Sequence, residues 1–147
     1  MKNSITFLFL LFVFASCKGP STTTGQSKSA PSSLLGNFTD DYGISYSIND
    51  ILWVQHPNIK YHIIQWNEQE QYLVARNDVA NPSEAGLYTR IDYMYFEKME
   101  PFKWGFCLTV YNAKTQKEAL TTAKADRQNP RKGCGGYPFS RMKKKTD

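Results

Sequence analysis

The stretch F102-K-W-G-F-C-L-T-V-Y111 decides how the chain folds. Phe102, Trp104, Phe106, Leu108 and Val110 alternate with Lys103, Gly105, Cys107, Thr109 and Tyr111. A period of two puts every second side chain on one face of a β-strand, here large and apolar on one side and mixed on the other. A helix would wrap both sets around its circumference, so the stretch reads as a half-buried strand. Five large inward positions in a row predict a strand at the centre of the core.

Working outward from it, the preceding run G86-L-Y-T-R-I-D-Y-M-Y-F96 is a second strand, with Leu87, Thr89, Ile91, Tyr93 and Tyr95 on one side. The turn cluster N81-P-S-E-A-G86 separates it from Q71-Y-L-V-A-R-N-D78. Before that, I59-K-Y-H-I-I-Q-W66 puts Ile59, Tyr61 and Ile63 on one face and His62, Ile64 and Trp66 on the other. The polar loop W66-N-E-Q-E-Q-Y72 joins these two as a hairpin. Y42-G-I-S-Y-S-I48 alternates Tyr42, Ile44, Tyr46 and Ile48 against small or polar neighbours. Adjacent Asp40 and Asp41 shape the turn before Gly43 rather than form an acid–base pair, since neighbours on a strand point to opposite faces. About six strands joined by turns predict a mainly β domain: an antiparallel meander sheet, or a small barrel.

One helix interrupts the pattern. Thr115 and Glu118 have capping-box spacing, and a helix is expected near 115–127, with Ala119, Leu120 and Ala123 as a thin apolar stripe. The Gly/Pro-rich N129-P-R-K-G-C-G-G-Y-P-F-S-R141 follows, with Tyr137 and Phe139 as buriable aromatics. The end, K-K-K-T-D, reads as a frayed basic tail.

Gly36-Asn37-Phe38, followed by Asp41, Gly43, Tyr46 and Ile48, resembles the first strand of the calycins, the lipocalin and avidin group. A meander with one late helix is similar to a lipocalin. That resemblance implies a small lipocalin-like barrel.

The first residues carry an address. One Lys, then the apolar I5-T-F-L-F-L-L-F-V-F-A15, then Ser16 make a secretory signal over 1–16, too short to span a bilayer, which takes about 20 residues. Its small residues run directly into Cys17. This order resembles the lipobox of bacterial lipoproteins, which implies that Cys17 is acylated and becomes the mature N-terminus, anchored in a membrane of the cell envelope. Phe14 stands where that motif usually has Leu. From Lys18 to Ser33 the chain is rich in Ser, Thr, Gly and Pro and has no apolar residue larger than Pro; it reads as a flexible linker. The single folded domain is expected from 34 to 147.

Three cysteines are an awkward number for an exported chain. With Cys17 assigned to lipid, Cys107 and Cys134 remain as a disulfide pair, which an oxidising compartment permits. The alternative leaves one buried and one exposed free thiol.

Charge narrows the partners. The net charge is +5, yet Lys18 to Asp126 holds ten Lys/Arg against twelve Asp/Glu, a net of −2; seven basic residues and no acidic ones lie from Arg127 to Lys145. Basicity confined to one terminus argues against nucleic-acid binding. It is either a solvated surface or a contact for anionic lipid headgroups.

Catalytic motifs are missing: there is no nucleophile elbow, phosphate loop, His-Glu-x-x-His or dinucleotide fingerprint. No enzyme activity and no cofactor is expected. His56 and His62 flank the Pro57-Asn58 turn without an evident third metal ligand. The polar candidates are Arg90 and Asp92, on one strand face with Tyr88, and Arg76 on the preceding strand. Facing a barrel interior they would orient a polar ligand; on the outside they would be solvated. Trp66 and Trp104, with Tyr46, Trp53 and Tyr61, either line a pocket for an apolar or aromatic-stacking ligand or fill a small core. The expected function is therefore a binding module for a small ligand or an envelope protein. The alternative is a structural or interaction lipoprotein with a filled core, and the least favoured is a hydrolase.

Overall fold

The computed structural model describes residues 26–27 and 29–146; Cys17 and the signal segment lie outside the described residues. The strands are β1 (Gln26–Ser27), β2 (Gly36–Asp40), β3 (Ser45–Ile48), β4 (Leu52–Gln55), β5 (Ile59–Asn67), β6 (Tyr72–Asn77), β7 (Tyr88–Tyr95), β8 (Trp104–Ala113) and β9 (Ser140–Lys144). β2 to β9 pair with their sequence neighbours, all antiparallel, and β9 pairs back onto β2. The meander therefore closes into an eight-stranded barrel. β1 adds two residues to the edge of β5.

Eight strands replace the expected six. β4 is only four residues long and hides behind the Asn49–Ile51 turn, where Asn49 Oδ1 accepts the Ile51 and Leu52 N–H groups. β9 runs from the end of the Gly/Pro-rich segment into the first two lysines of the tail expected to fray. Met142 is fully buried between Asp40 and Trp104, so the tail holds a place in the wall that its lysines do not advertise. The body also begins before Leu34: Ala30 donates its N–H to Asp50, and Leu34 is buried.

An eight-stranded barrel has an interior just wide enough for side chains to fill it. Here it is filled by interlocked rings. Trp53 packs edge-on against Trp104 (5.9 Å) and Phe106 (5.1 Å), and Phe38 against Trp104 (5.1 Å). Trp66 and Tyr93 continue the layer at 6.4 Å. Such edge-to-face pairs contribute about 0.5–1.5 kcal/mol each beyond burial.

Three register slips break the strict alternation expected from the sequence. Between Ile63 and Gln65 the register with β6 slips, which leaves Ile64 exposed and brings Trp66 to the face that Tyr61 and Ile63 occupy, inside the barrel. Between Leu108 and Val110 the register with β7 slips again. Val110 thus lies outside, packed with Tyr72, Val74 and Ala119, instead of inside with Leu108. Each extra residue inverts face parity until the next one, and a further slip between Val110 and Ala113 keeps both on the outer face.

The helix, α1 (Gln116–Thr121), opens at the expected cap: Thr115 Oγ1 accepts the Glu118 N–H, while the Glu118 carboxylate reaches one residue past the cap to accept the Lys114 N–H. It is shorter than 115–127. Thr121 and Thr122 turn their hydroxyls back onto the carbonyls four residues earlier, a bond that bends and weakens a helix end. The chain beyond runs through a series of turns over the outside of the barrel. There Cys107 and Cys134 form a disulfide, with Phe139 and Ala125 buried beside it.

Candidate functional site

The polar candidates come together in part. Arg90 and Asp92 leave the outer face of β7, yet they are 1% and 0% exposed, because α1 and the segment after it lie over them. The pair is bidentate (2.9 and 2.8 Å), Arg90 also donates to the Leu120 carbonyl, and its guanidinium lies 4.0 Å from the Tyr72 ring centroid. Asp92 accepts two more bonds, from Thr109 (2.5 Å) and Arg127 (3.0 Å). Arg127 in turn donates to the carbonyls of Glu70, Gln71 and Tyr93. The Arg90 Nε, Nη1 and Nη2 atoms each donate to an acceptor of the protein itself. The network docks α1 and the following segment onto the barrel, in a position that is neither the lumen nor solvent.

Arg76 is exposed and lies apart, 6.0 Å from the Tyr88 ring, with its Nε on the Gly86 carbonyl. Trp66 and Trp104 are buried in the filled lumen. The six candidates do not converge on one cavity.

The histidines occur singly. His56 Nε2 lies 2.8 Å from Ser47 Oγ, which also bonds Asn37. Among the described residues no acidic side chain bonds the His56 ring, so the pair lacks the third member of a triad. His62 meets Asp78 at 2.6 Å. The Ala80 N–H and then the His62 ring hold the Asp78 carboxyl below its ordinary range. Among the described residues no three His, Cys, Asp or Glu side chains group as metal ligands.

A concave site exists elsewhere, along the seam where the barrel closes. β9 pairs with β8 only over Trp104–Phe106, and among the described residues no strand lies on that edge of Cys107 to Ala113. The sequence explains the gap. Upstream of Ser140 stands Pro138, which has no N–H to give a ladder, and the Phe139 N–H turns outward to the Pro130 carbonyl. Gly135 and Gly136, at φ of +60° and +95°, loop the chain away from the wall.

The opposite lip is the β2–β3 turn. Asp40 is buried and accepts the Tyr42 and Ile44 N–H groups (2.9 and 2.8 Å) and the Tyr46 hydroxyl (2.9 Å). Burial first, and that carboxylate second, push the Tyr46 pKa far above its ordinary value. Asp41 faces the other way and holds β9 through the Arg141 N–H and Nε.

Two depressions meet on this seam, sharing Tyr42 and Pro138. One, about 330 Å³, reaches Ile44, Gln55, Leu108 and Tyr137. The other, about 530 Å³, runs past Phe96, Met99 and Phe139 to Arg131 and Arg141. Tyr42 and Tyr137 stand 67% and 75% exposed at its margins. Tyr137, expected to be buried, is thus part of the surface, while Phe139 is in the core at 2%. Among the described residues Arg131 forms no ion pair, whereas both carboxylates of the groove are engaged by the protein. The arrangement suits apolar or aromatic contact plus one anionic group.

The groove residues were hard to find in the sequence because they come from three separate segments. The usable signal was the Gly/Pro-rich segment around Cys134, whose disulfide had to place it against β8.

Fold and site together define a meander barrel with a packed lumen and an external seam groove. No protein-family model matches the chain, and neither a curated protein nor a solved structure matches it significantly.

Proposed function

We propose that this protein is a lipid-anchored component of the bacterial cell envelope that serves as a binding module, with the seam groove as its site. The observation that carries the reading is the contrast between inside and outside. The lumen is packed with rings, whereas an apolar groove of about 530 Å³ lies on the surface, in the size range of ligand sites, with a guanidinium, Arg131, that forms no ion pair among the described residues. A filled core bordered by exposed aromatics favours a partner at the surface over a small molecule in the barrel. Cys17 and the Ser/Thr-rich segment after it supply the anchor and the tether in this reading. Among the described residues no helix is long and apolar enough to cross a membrane.

Two measurements test it. Cys17→Ser should abolish incorporation of a fatty-acid probe and release the protein from the membrane fraction; unchanged labelling would refute the anchor. For the site, paired Tyr42→Ala and Tyr137→Ala substitutions should eliminate capture of envelope proteins by crosslinking in intact cells without changing the melting temperature. Crosslinks of equal yield from the double variant would refute the groove.

A further inference from the structure

We infer that the unpaired edge of β8 accepts an extended peptide segment of a partner protein as an added strand, with an acidic side chain of that segment meeting Arg131. This rests on the reading of the seam as the binding site and names what occupies it.

The argument begins with the backbone. At Cys107 and Leu108, where the depression touches β8, β7 satisfies one edge only; past Leu108 the register with β7 slips twice and the Tyr111 carbonyl is taken by the Asn77 and Thr89 side chains. In an antiparallel ladder, alternate N–H and C=O groups point to the other edge. No backbone hydrogen bond joins that edge to the covering segment 125–139 among the described residues. A row of such groups beside an apolar depression is what strand addition uses: main-chain bonds give affinity, and pockets for alternate side chains give selectivity. A closed barrel normally has no edge to offer. This one has an edge because β9 is short.

Side chains then choose the occupant. A strand laid against β8 in line with β9 would direct alternate residues toward Ile44, Tyr46 and Leu108, a wall that takes Val, Ile or Tyr. The depression continues past Tyr42 and Pro138 to Arg131. Asp40 and Asp41 are engaged by the protein's own donors, so the charge left at that end is positive. An acidic residue beyond the apolar run satisfies it. An extended chain rises about 3.4 Å per residue, so four to six residues follow the unpaired edge. A glycan or a lipid tail would use the apolar wall yet leave the backbone groups unpaired, which favours polypeptide.

The test uses the full chain in detergent and a panel of fluorescein-labelled hexapeptides. Their sequences alternate Val, Ile or Tyr with Thr and end in Asp, Ser or Lys; binding is read by anisotropy. Asp-ended peptides should bind about fivefold tighter than Lys-ended ones, and Arg131→Glu should reverse that order. N-methylation of alternate amides, which removes ladder donors and leaves the side chains, should weaken binding at least tenfold in one of the two phases. If no peptide binds at millimolar concentration, strand addition is refuted. If both N-methyl phases bind like the parent, strand addition is refuted while the groove reading stands. Self-association through β8, seen as a dimer that a Cys107–Ala113 edge crosslink traps, would replace the partner with a second copy and also refute the proposal. Loss of groove crosslinking in cells together with peptide binding in vitro would separate the two readings in the other direction.

Discussion

At the scale of single residues, the buried charges set the terms. Arg90 and Asp92 are sealed beneath α1, and the ion pair is tolerated there because each of the three Arg90 nitrogens donates and both Asp92 oxygens accept within the protein. Removing one member leaves the other buried and uncompensated, at a cost of about 3–5 kcal/mol, whereas exchanging both for apolar residues of similar volume is far milder. We therefore expect Asp92→Ala to lower urea stability severely and the double variant Arg90→Met, Asp92→Leu to recover much of it. Equal loss in both would show that the charges do more than satisfy one another. The sequence put these two residues on one strand face and stopped there. Whether that face met lumen, solvent or a helix depended on bulges and on Arg127, which lies 35 positions from Asp92.

At the scale of elements, the segment 125–139 has no regular structure of its own and is held by contacts at its ends. Arg127 ties one end and the Cys107–Cys134 disulfide pins the other. The bond closes a loop with a sequence separation of 27, and the chain-entropy estimate is about 3.5 kcal/mol. Cys107→Ser with Cys134→Ser should lower stability by that order. Hydrogen exchange should show the loss concentrated in residues 125–139, with β5 to β7 still protected. Uniform loss of protection would contradict the division into barrel and cover. The pairing itself was legible, because only one pair remained after Cys17 was set aside. β9 was not: three consecutive lysines outweigh one methionine in any reading of composition, yet Met142 alone faces the core.

At the scale of the whole molecule, the packed lumen makes stability depend on keeping tyrosines neutral. Burial raises the pKa of Tyr46, Tyr61 and Tyr93 in the folded state. Where the folded pKa exceeds the unfolded one, the unfolded chain loses protons first as pH rises. The stabilisation is then complete below the unfolded pKa of about 10 and falls away above it. We expect thermal stability to be flat from pH 8 to about 10 with respect to these groups, and to drop steeply beyond. Absorbance at 295 nm should show part of the tyrosine signal ionising only with unfolding. Smooth ionisation of all nine in the native state would refute it.

The sequence by itself determined the class of fold: period-two alternation, turn clusters and one capped helix are local signals, and local sterics enforce them. It pointed to the Cys107–Cys134 disulfide only through the reading of Cys17 as an anchor, and the structure shows the bond. Only the tertiary structure decided the number of strands, the closure and the site. A one-residue bulge inverts the side chains that follow it until the next slip, a short strand leaves an edge open, and a groove is assembled from residues far apart in the chain. Those outcomes depend on contacts between elements, which no single stretch encodes.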